Sequence, residues 1–303
     1  MNQFRKWTKQ CTTDKVFDLI NTLLMILILL ICFYPLYYIV ILSLSKEVIG
    51  TYLWPKGLNL KGYQYIFADK MVYVGYANTL FYTIVGVLCS LAVTLPCAYS
   101  LSRKDFKGRG IITGFIMVTM FVSGGLVPSY LNVYNLGLLN TRLVLILLAL
   151  TSSYNIIVSR SFFQSTIPDE LLDASKIDGC GNGRLFFKIV LPLSKPIIAV
   201  MALYFGVARW NGYFSEMIYL RDESKYPLAL FLRKLLWEIS SIQAMVETGE
   251  LDSLGAASAQ DIIDMATSMQ YALIVVSTVP MLIIYPYLQK YFAKGVMIGS
   301  VKG

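Results

Sequence analysis

The chain has 303 residues, 56% of them hydrophobic and 15% charged, with a formal charge of +8 and a mean hydropathy of +0.62. Soluble domains carry about a quarter charged residues, so the solvent implied is lipid, and the positive charge belongs to membrane topology, not to nucleic-acid binding. The absence of histidine removes the usual general base and the commonest metal ligand, so neither an enzyme active site nor a metal centre is expected. Cys11, Cys32, Cys89, Cys97 and Cys180 form neither a disulfide framework nor a metal-ligand spacing.

A bilayer span needs roughly 20 mostly apolar residues. Six stretches qualify: Val16–Leu42, Ala77–Leu101, Ile111–Tyr130, Leu143–Phe163, Pro196–Leu220 and Met269–Phe292. The expected fold is all-α, a polytopic membrane protein of six transmembrane helices. A polar segment occupies residues 1–15, the membrane domain residues 16–293 and a short tail residues 294–303. The first span is too long for a signal peptide and lacks a small-residue cleavage site, so it reads as an uncleaved anchor. Lysine and arginine stay on the cytoplasmic side. Sixteen of the 26 lie at the two ends, in the connection 102–110 and around the connection 164–195, against nine in the alternate connections. Both ends are therefore expected in the cytosol.

Along the chain, Trp54, Tyr63, Tyr65 and Phe67 in the first outer connection suit a membrane interface or, equally, packing against an outer partner. In the third span Ser123-Gly124-Gly125 and Pro128 interrupt an apolar helix. Such a break is tolerated at membrane depth where it lines a cavity or is buried in protein; a simple packing kink is the alternative. Tyr154 and Asn155 in the fourth span, and Trp210, Asn211 and Tyr213 in the fifth, offer aromatic platforms and amides of the kind that bind sugar rings and hydroxyls. Arg209 and Glu216 are charged groups inside a span, where charge is costly and faces a bundle interior or a water-filled path. The helical spacing Arg209, Tyr213, Glu216, Leu220 puts Arg209 and Glu216 near one face. An Arg–Glu contact, direct or with another span, that locks packing or a gate is favoured for Arg209, while for Glu216 that contact and a path role both stay open. The outer loop 221–268 is long and acidic, which marks it as functional or disordered.

The most informative segment is the loop 164–195. Thr166 and Asp169 are candidate N-caps, with Pro168 near the first helical position. Asp169, Glu170 and Asp173 lie toward the positive end of the helix dipole and Lys176 toward the negative end. Gly179 is placed to end the helix in a left-handed conformation. Ala174 and Ser175 are small enough for another surface to approach closely. A helix this short is marginal alone, so it needs tertiary or partner contacts.

Asp173-Ala174-Ser175, followed by Ile177-Asp178-Gly179 and Leu191-Pro192, resembles the EAA loop of ABC importer permeases. Asp173 stands for the usual glutamate and Ser175 for the second alanine. Met120–Pro128, Leu136–Thr141, Trp210–Phe214 and the tail Gly295–Gly303 resemble permeases of the carbohydrate-uptake class 1, maltose-type group, in particular the branch serving complex saccharides.

The resemblance implies the type I importer permease fold and a subunit of an oligosaccharide importer in the bacterial cytoplasmic membrane. It implies a second homologous permease, two cytosolic ATPase subunits and an extracellular, lipid-anchored sugar-binding protein. Asp169, Glu170, Asp173, Ala174, Ser175, Asp178 and Gly179 would form the coupling helix seated on an ATPase. The chain carries no phosphate-binding loop of the G-x-x-x-x-G-K-[ST] type, so ATP and Mg are expected on the partner ATPases, with no cofactor on this chain. Tyr154, Asn155, Trp210, Asn211, Tyr213 and Glu216 become candidates for the substrate path, although in the maltose system the main sugar site belongs largely to the other permease. Residues 247–260 would reach toward the binding protein, and the tail would tuck between the ATPases. Two other classes compete. An ion-driven secondary transporter would show inverted repeats and several intramembrane acids, and Glu216 is the lone acid well inside a span. A receptor or scaffold would need no ATPase.

Overall fold

The computed structural model describes residues 12–46, 53–55, 57–248 and 256–295. Residues 1–11 of the polar segment, the loop tip 249–255 and the tail from 296 onward, with Gly299, Ser300 and Lys302, lie outside the described residues. In chain order the helices are α1 (Thr12–Ser43), α2 (Lys61–Ala68), α3 (Lys70–Ser102), α4 (Arg109–Phe121), α5 (Leu126–Asn135), α6 (Arg142–Leu148), α7 (Ser153–Thr166) and α8 (Asp169–Ile177). They continue with α9 (Asn182–Leu185), a π turn over Phe186–Val190, α10 (Leu191–Leu193), α11 (Lys195–Trp210), α12 (Phe214–Tyr219), α13 (Leu228–Glu247) and α14 (Ala256–Gly295).

Among the described residues three helices are long and apolar enough to cross a membrane, or up to six if each of three bent pairs is one span. The pairs are α4 with α5 at 114°, α6 with α7 at 51°, and Asn182–Leu193 with α11 at 81°. The glycine pair in the third stretch does more than kink it. Gly125 adopts φ +81°, which favours glycine, and the chain turns back through more than a right angle.

The fifth stretch departs from expectation. Helix α11 stops at Trp210, and α12 resumes at Phe214. Asn211 and Gly212 are poor helix formers, and Tyr213 takes a non-helical φ of −144°. Arg209 and Glu216 therefore sit on two different helices and do not share a face.

The chain divides into two compact units. In the unit of residues 1–66 and 239–276, the large apolar side chains of α1 from Val16 to Leu36 are exposed, and only its C-terminal end, at Ile41 and Leu42, is buried. Its C-terminal end is fastened locally. Lys46 N–H donates to the Gly57 carbonyl at 2.9 Å, Asn59 N–H to that of Leu44 at 2.9 Å, and the hydroxyls of Ser43 and Tyr63 lie 2.8 Å apart.

In the unit of residues 67–238 and 277–303, α3 packs against α7 and α11. Between Gly75 and Thr94 the buried positions of α3 recur every three to four residues and are small or polar: Gly75, Asn78, Thr79, Tyr82, Gly86, Ser90 and Thr94. Its outward positions, including Leu80, Ile84, Leu88 and Val93, are large and apolar. That reversal of the soluble pattern is the packing mode of membrane bundles, where small side chains let helices approach and polar ones bond across. At the other end of α3, Leu95, Ala98, Tyr99 and Leu101 form an apolar cluster with Ile156, Phe163, Ile167, Leu185, Phe186 and Val190.

Candidate functional site

Helix α8 is built to stand out from the bundle while rooted in it. Pro168 occupies the N-cap at φ −72° and ψ 150° and makes no side-chain cap bond. The caps expected from Thr166 or Asp169 are not formed: Thr166 is the last residue of α7, and the Asp169 carboxylate instead pairs with Lys104 Nζ at 2.5 Å. The C-terminal end follows the expectation. Gly179 has φ +65°, Gly179 N–H donates to the Lys176 carbonyl at 3.1 Å, and Cys180 N–H donates to that of Ser175 at 2.9 Å. This pair of bonds is the Schellman closure.

Leu171 and Leu172 pack inward on the Leu95–Phe163–Phe186 cluster. Glu170, Asp173, Ala174 and Asp178 are exposed, and Lys176 Nζ lies 3.4 Å from the Asp173 carboxylate. Ser175 is 5% exposed and its hydroxyl donates to the Leu172 carbonyl at 2.7 Å. Ala174 thus faces outward and Ser175 inward, so the two small residues do not offer one common surface. Ile177, 87% exposed, is an apolar residue on the outer side that charge and capping patterns did not single out.

Beside α8 lies a cavity of about 380 Å³ whose lining includes Tyr99, Arg103, Lys104, Arg109, Thr166 and Asp169. Arg103 organises it, donating to the Asp105 carboxylate and to Asn182 Oδ1 at 2.9 Å. The hydrogen-bonded guanidinium holds the Asp105 carboxyl below the usual carboxylate range.

The second candidate is the break between α11 and α12. Arg209 is 8% exposed; its Nη1 donates to the Leu145 carbonyl at 3.2 Å, and its Nη2 donates to Ser90 Oγ at 2.9 Å and to the Ala149 carbonyl at 2.7 Å. Those carbonyls lie where α6 ends and the chain breaks before α7, so their helical partners are missing. Arg209 supplies the donors and so ties neighbouring helices together, but its bonds go to carbonyls and a hydroxyl, not to the glutamate expected as its partner.

Glu216 lines a cavity of about 310 Å³ together with Tyr82, Leu145, Arg209, Asn211 and Tyr213. Its Oε2 is buried with no hydrogen-bond partner among the described residues, and Gly212 lies so close that a Cβ there would be 2.7 Å from Oε1. A second cavity of about 420 Å³ is lined by Trp210, Asn211, Tyr213, Arg233, Ser277 and Thr278 with Leu232, Leu236 and Met281. Trp210 Nε1 donates to the Ser277 carbonyl at 3.3 Å, and the Arg233 guanidinium carbon sits 4.5 Å from the centroid of the Tyr213 ring. The structure therefore gathers Asn211, Tyr213 and Glu216 at one cavity and Trp210, Asn211 and Tyr213 at the other. Tyr154, exposed, and Asn155, buried at the start of α7, line neither.

Two further polar residues clasp the segment after α12. Asn140 has φ +56°; its N–H donates to the Tyr219 carbonyl at 2.8 Å and its Oδ1 accepts from the N–H groups of Arg221 and Asp222, both at 3.1 Å. Asn78 Nδ2 donates to the carbonyls of Ser224 and Tyr226, and Arg142 Nη2 donates to Asn78 Oδ1. These contacts hold the entry to α13 against α3.

Comparison with known proteins agrees with this architecture. Residues 71–298 match the family described as binding-protein-dependent transport system inner membrane component. The chain is 36% identical to the polygalacturonan/rhamnogalacturonan transport system permease protein YtcP of Bacillus subtilis (strain 168), over 96% of this chain and 99% of the relative. It is 36% identical to protein LplC of the same organism, over 95% and 96%. A solved chain from a bacterial ABC transporter involved in the import of the acidic polysaccharide alginate superposes with a TM-score of 0.79 at 33% identity, covering 93% of this chain and 99% of that one. The chain accordingly belongs to the binding-protein-dependent transport system inner membrane components, as a multi-pass, non-catalytic permease subunit of an ABC transporter in the cytoplasmic membrane.

Proposed function

We propose that this chain is the permease through which an ATP-driven importer moves an oligosaccharide, a fragment of a complex saccharide, from an extracellular binding protein into the cytosol by alternating access. Similarity to permeases named for polygalacturonan and rhamnogalacturonan, arabinooligosaccharides and melibiose, raffinose and stachyose supports the substrate class. In this reading both termini are cytosolic and a second homologous permease completes the path. Two ATPase subunits, holding ATP and Mg, sit beneath. The binding protein is anchored by lipid outside.

The observation that carries the coupling role is the geometry of α8: closed at its C-terminal end by Gly179, rooted through Leu171 and Leu172, and presenting Glu170, Asp173, Ala174, Ile177 and Asp178 outward. Among the described residues no other helix covers that outer surface, and a docked ATPase would. Closure of the ATPase pair on ATP would then displace α8 and turn the cavity at Asn211, Tyr213 and Glu216 outward. The test is Ala174→Asp. It is expected to insert in the membrane normally and to fail to co-purify with the ATPase. Recovery of the intact complex at wild-type yield would refute the docking role.

A further inference from the structure

The two cations at the middle of α13 are treated differently by the fold. Lys234 is neutralised, with Glu223 at 2.5 Å and Glu238 at 3.9 Å. Arg233, its neighbour in sequence, is exposed and directed to the Tyr213 ring, and among the described residues no carboxylate lies within ion-pair distance of it. The cavity it borders offers one uncharged polar amide, Asn211, and an apolar wall from Leu232, Leu236 and Met281. Glu216 lines the adjoining cavity but not this one.

A guanidinium held over an aromatic ring keeps its N–H edges for a partner. The partner that matches this planar fork is a carboxylate, bound through two parallel hydrogen bonds. An amide beside it suits hydroxyls, and an aliphatic wall suits the apolar face of a pyranose. We infer that Arg233 reads a carboxylate on the transported saccharide, with Tyr213 positioning the guanidinium and Asn211 bonding ring hydroxyls. The substrate class is then an acidic, uronate-containing oligosaccharide. This inference rests on the proposed import of oligosaccharides and specifies their charge.

The test uses the complete transporter, reconstituted in vesicles with its partner permease, ATPases and binding protein. The probes are trigalacturonate and its fully methyl-esterified counterpart, which keeps the shape and loses the charge. Arg233→Gln is expected to raise the KM for trigalacturonate roughly ten- to a hundredfold, the range of a lost charge-assisted bond. Uptake of the ester should change little, Arg233→Lys should restore part of the loss, and Lys234→Gln should leave both probes unaffected. Should the wild type import only the acid, the Arg233→Gln and Arg233→Lys KM values decide. Equal losses for both probes, no loss for either, or a wild type that imports only the ester would overturn the carboxylate role and leave oligosaccharide import standing. A wild-type complex that imports neither these probes nor neutral oligosaccharides such as raffinose and arabinotriose would overturn the functional reading itself, and this inference with it.

Discussion

Gly86 on α3 leaves the space that the Arg209 side chain of α11 fills: a Cβ at Gly86 would lie 2.4 Å from the guanidinium carbon. The arginine cannot simply swing aside, because three bonds hold it to Ser90 and to the carbonyls of Leu145 and Ala149. Gly86→Ala should therefore displace those bonds and destabilise the bundle by about 1–3 kcal/mol, the usual cost of overpacking. Arg209→Ala should cost a similar amount by leaving buried carbonyls unpaired. The double variant should lose less than the sum, since the two share one set of contacts. Thermal unfolding of the purified complex in detergent measures all three; additive losses would show that the pair is not coupled.

Gly179→Ala forces a Cβ into the left-handed region, at a cost of about 1–2 kcal/mol. The end of α8 should fray while the membrane bundle stays intact. The expected outcome is wild-type insertion with a several-fold loss of transport per ATP hydrolysed, and Gly179→Asn should be milder because asparagine tolerates that conformation. Equal coupling ratios for alanine, asparagine and wild type would detach this turn from the transport cycle.

Asn211 is exposed at the break and borders both cavities. Asn211→Ala should lower sugar-stimulated turnover while leaving assembly and thermal stability within about 0.5 kcal/mol of wild type, as for a surface position without buried partners. Turnover unchanged for every sugar offered would place Asn211 among packing residues.

The Arg103–Asp105 pair predicts a pH dependence with a defined sign. Its carboxyl titrates lower in the folded chain than in the unfolded one, because Arg103 bonds the charged form. The stabilisation is complete above the unfolded value, about 3.9, and is lost as pH falls through the lower folded value. Asp105 is half exposed, so the effect is local and weakened by solvent. Protection of the backbone amides over residues 103–109 against hydrogen exchange, taken relative to the intrinsic rate at each pH, should fall on acidification below that value. Asp105→Asn should show the lower protection already at neutral pH and little further change in it with acid.

The sequence declares the solvent of this chain more clearly than its backbone path. Hydropathy placed a membrane helix through Leu220 because Phe214, Met217, Ile218 and Leu220 are as apolar as the residues before them. Hydropathy reports where a segment prefers to be, not whether its helix is continuous, and only Asn211-Gly212 marked the break at Trp210. The 114° turn after α4 was visible as Ser123-Gly124-Gly125 but not in its size, which depends on the positive φ of Gly125. At α8 the legible end was the C-terminal one, where Gly179 alone can close the helix cheaply. At the other end the acid expected to cap was taken by Lys104 from a distant loop. Arg233 and Asn140 were invisible for the same reason: their partners, Tyr213 and the Arg221–Asp222 backbone, are brought to them by tertiary folding and leave no periodic trace.

The rooting of α8 bears on where this subunit can yield. Leu171 and Leu172 share one apolar cluster with the ends of α3 and α7, and close-packed side chains transmit strain instead of absorbing it. A load applied at Ala174 is therefore carried stiffly into two long helices. Compliance then falls to the irregular joints, among them Val122–Gly125, Ala149–Ser152 and Asn211–Tyr213, where no continuous ladder of backbone bonds resists rotation.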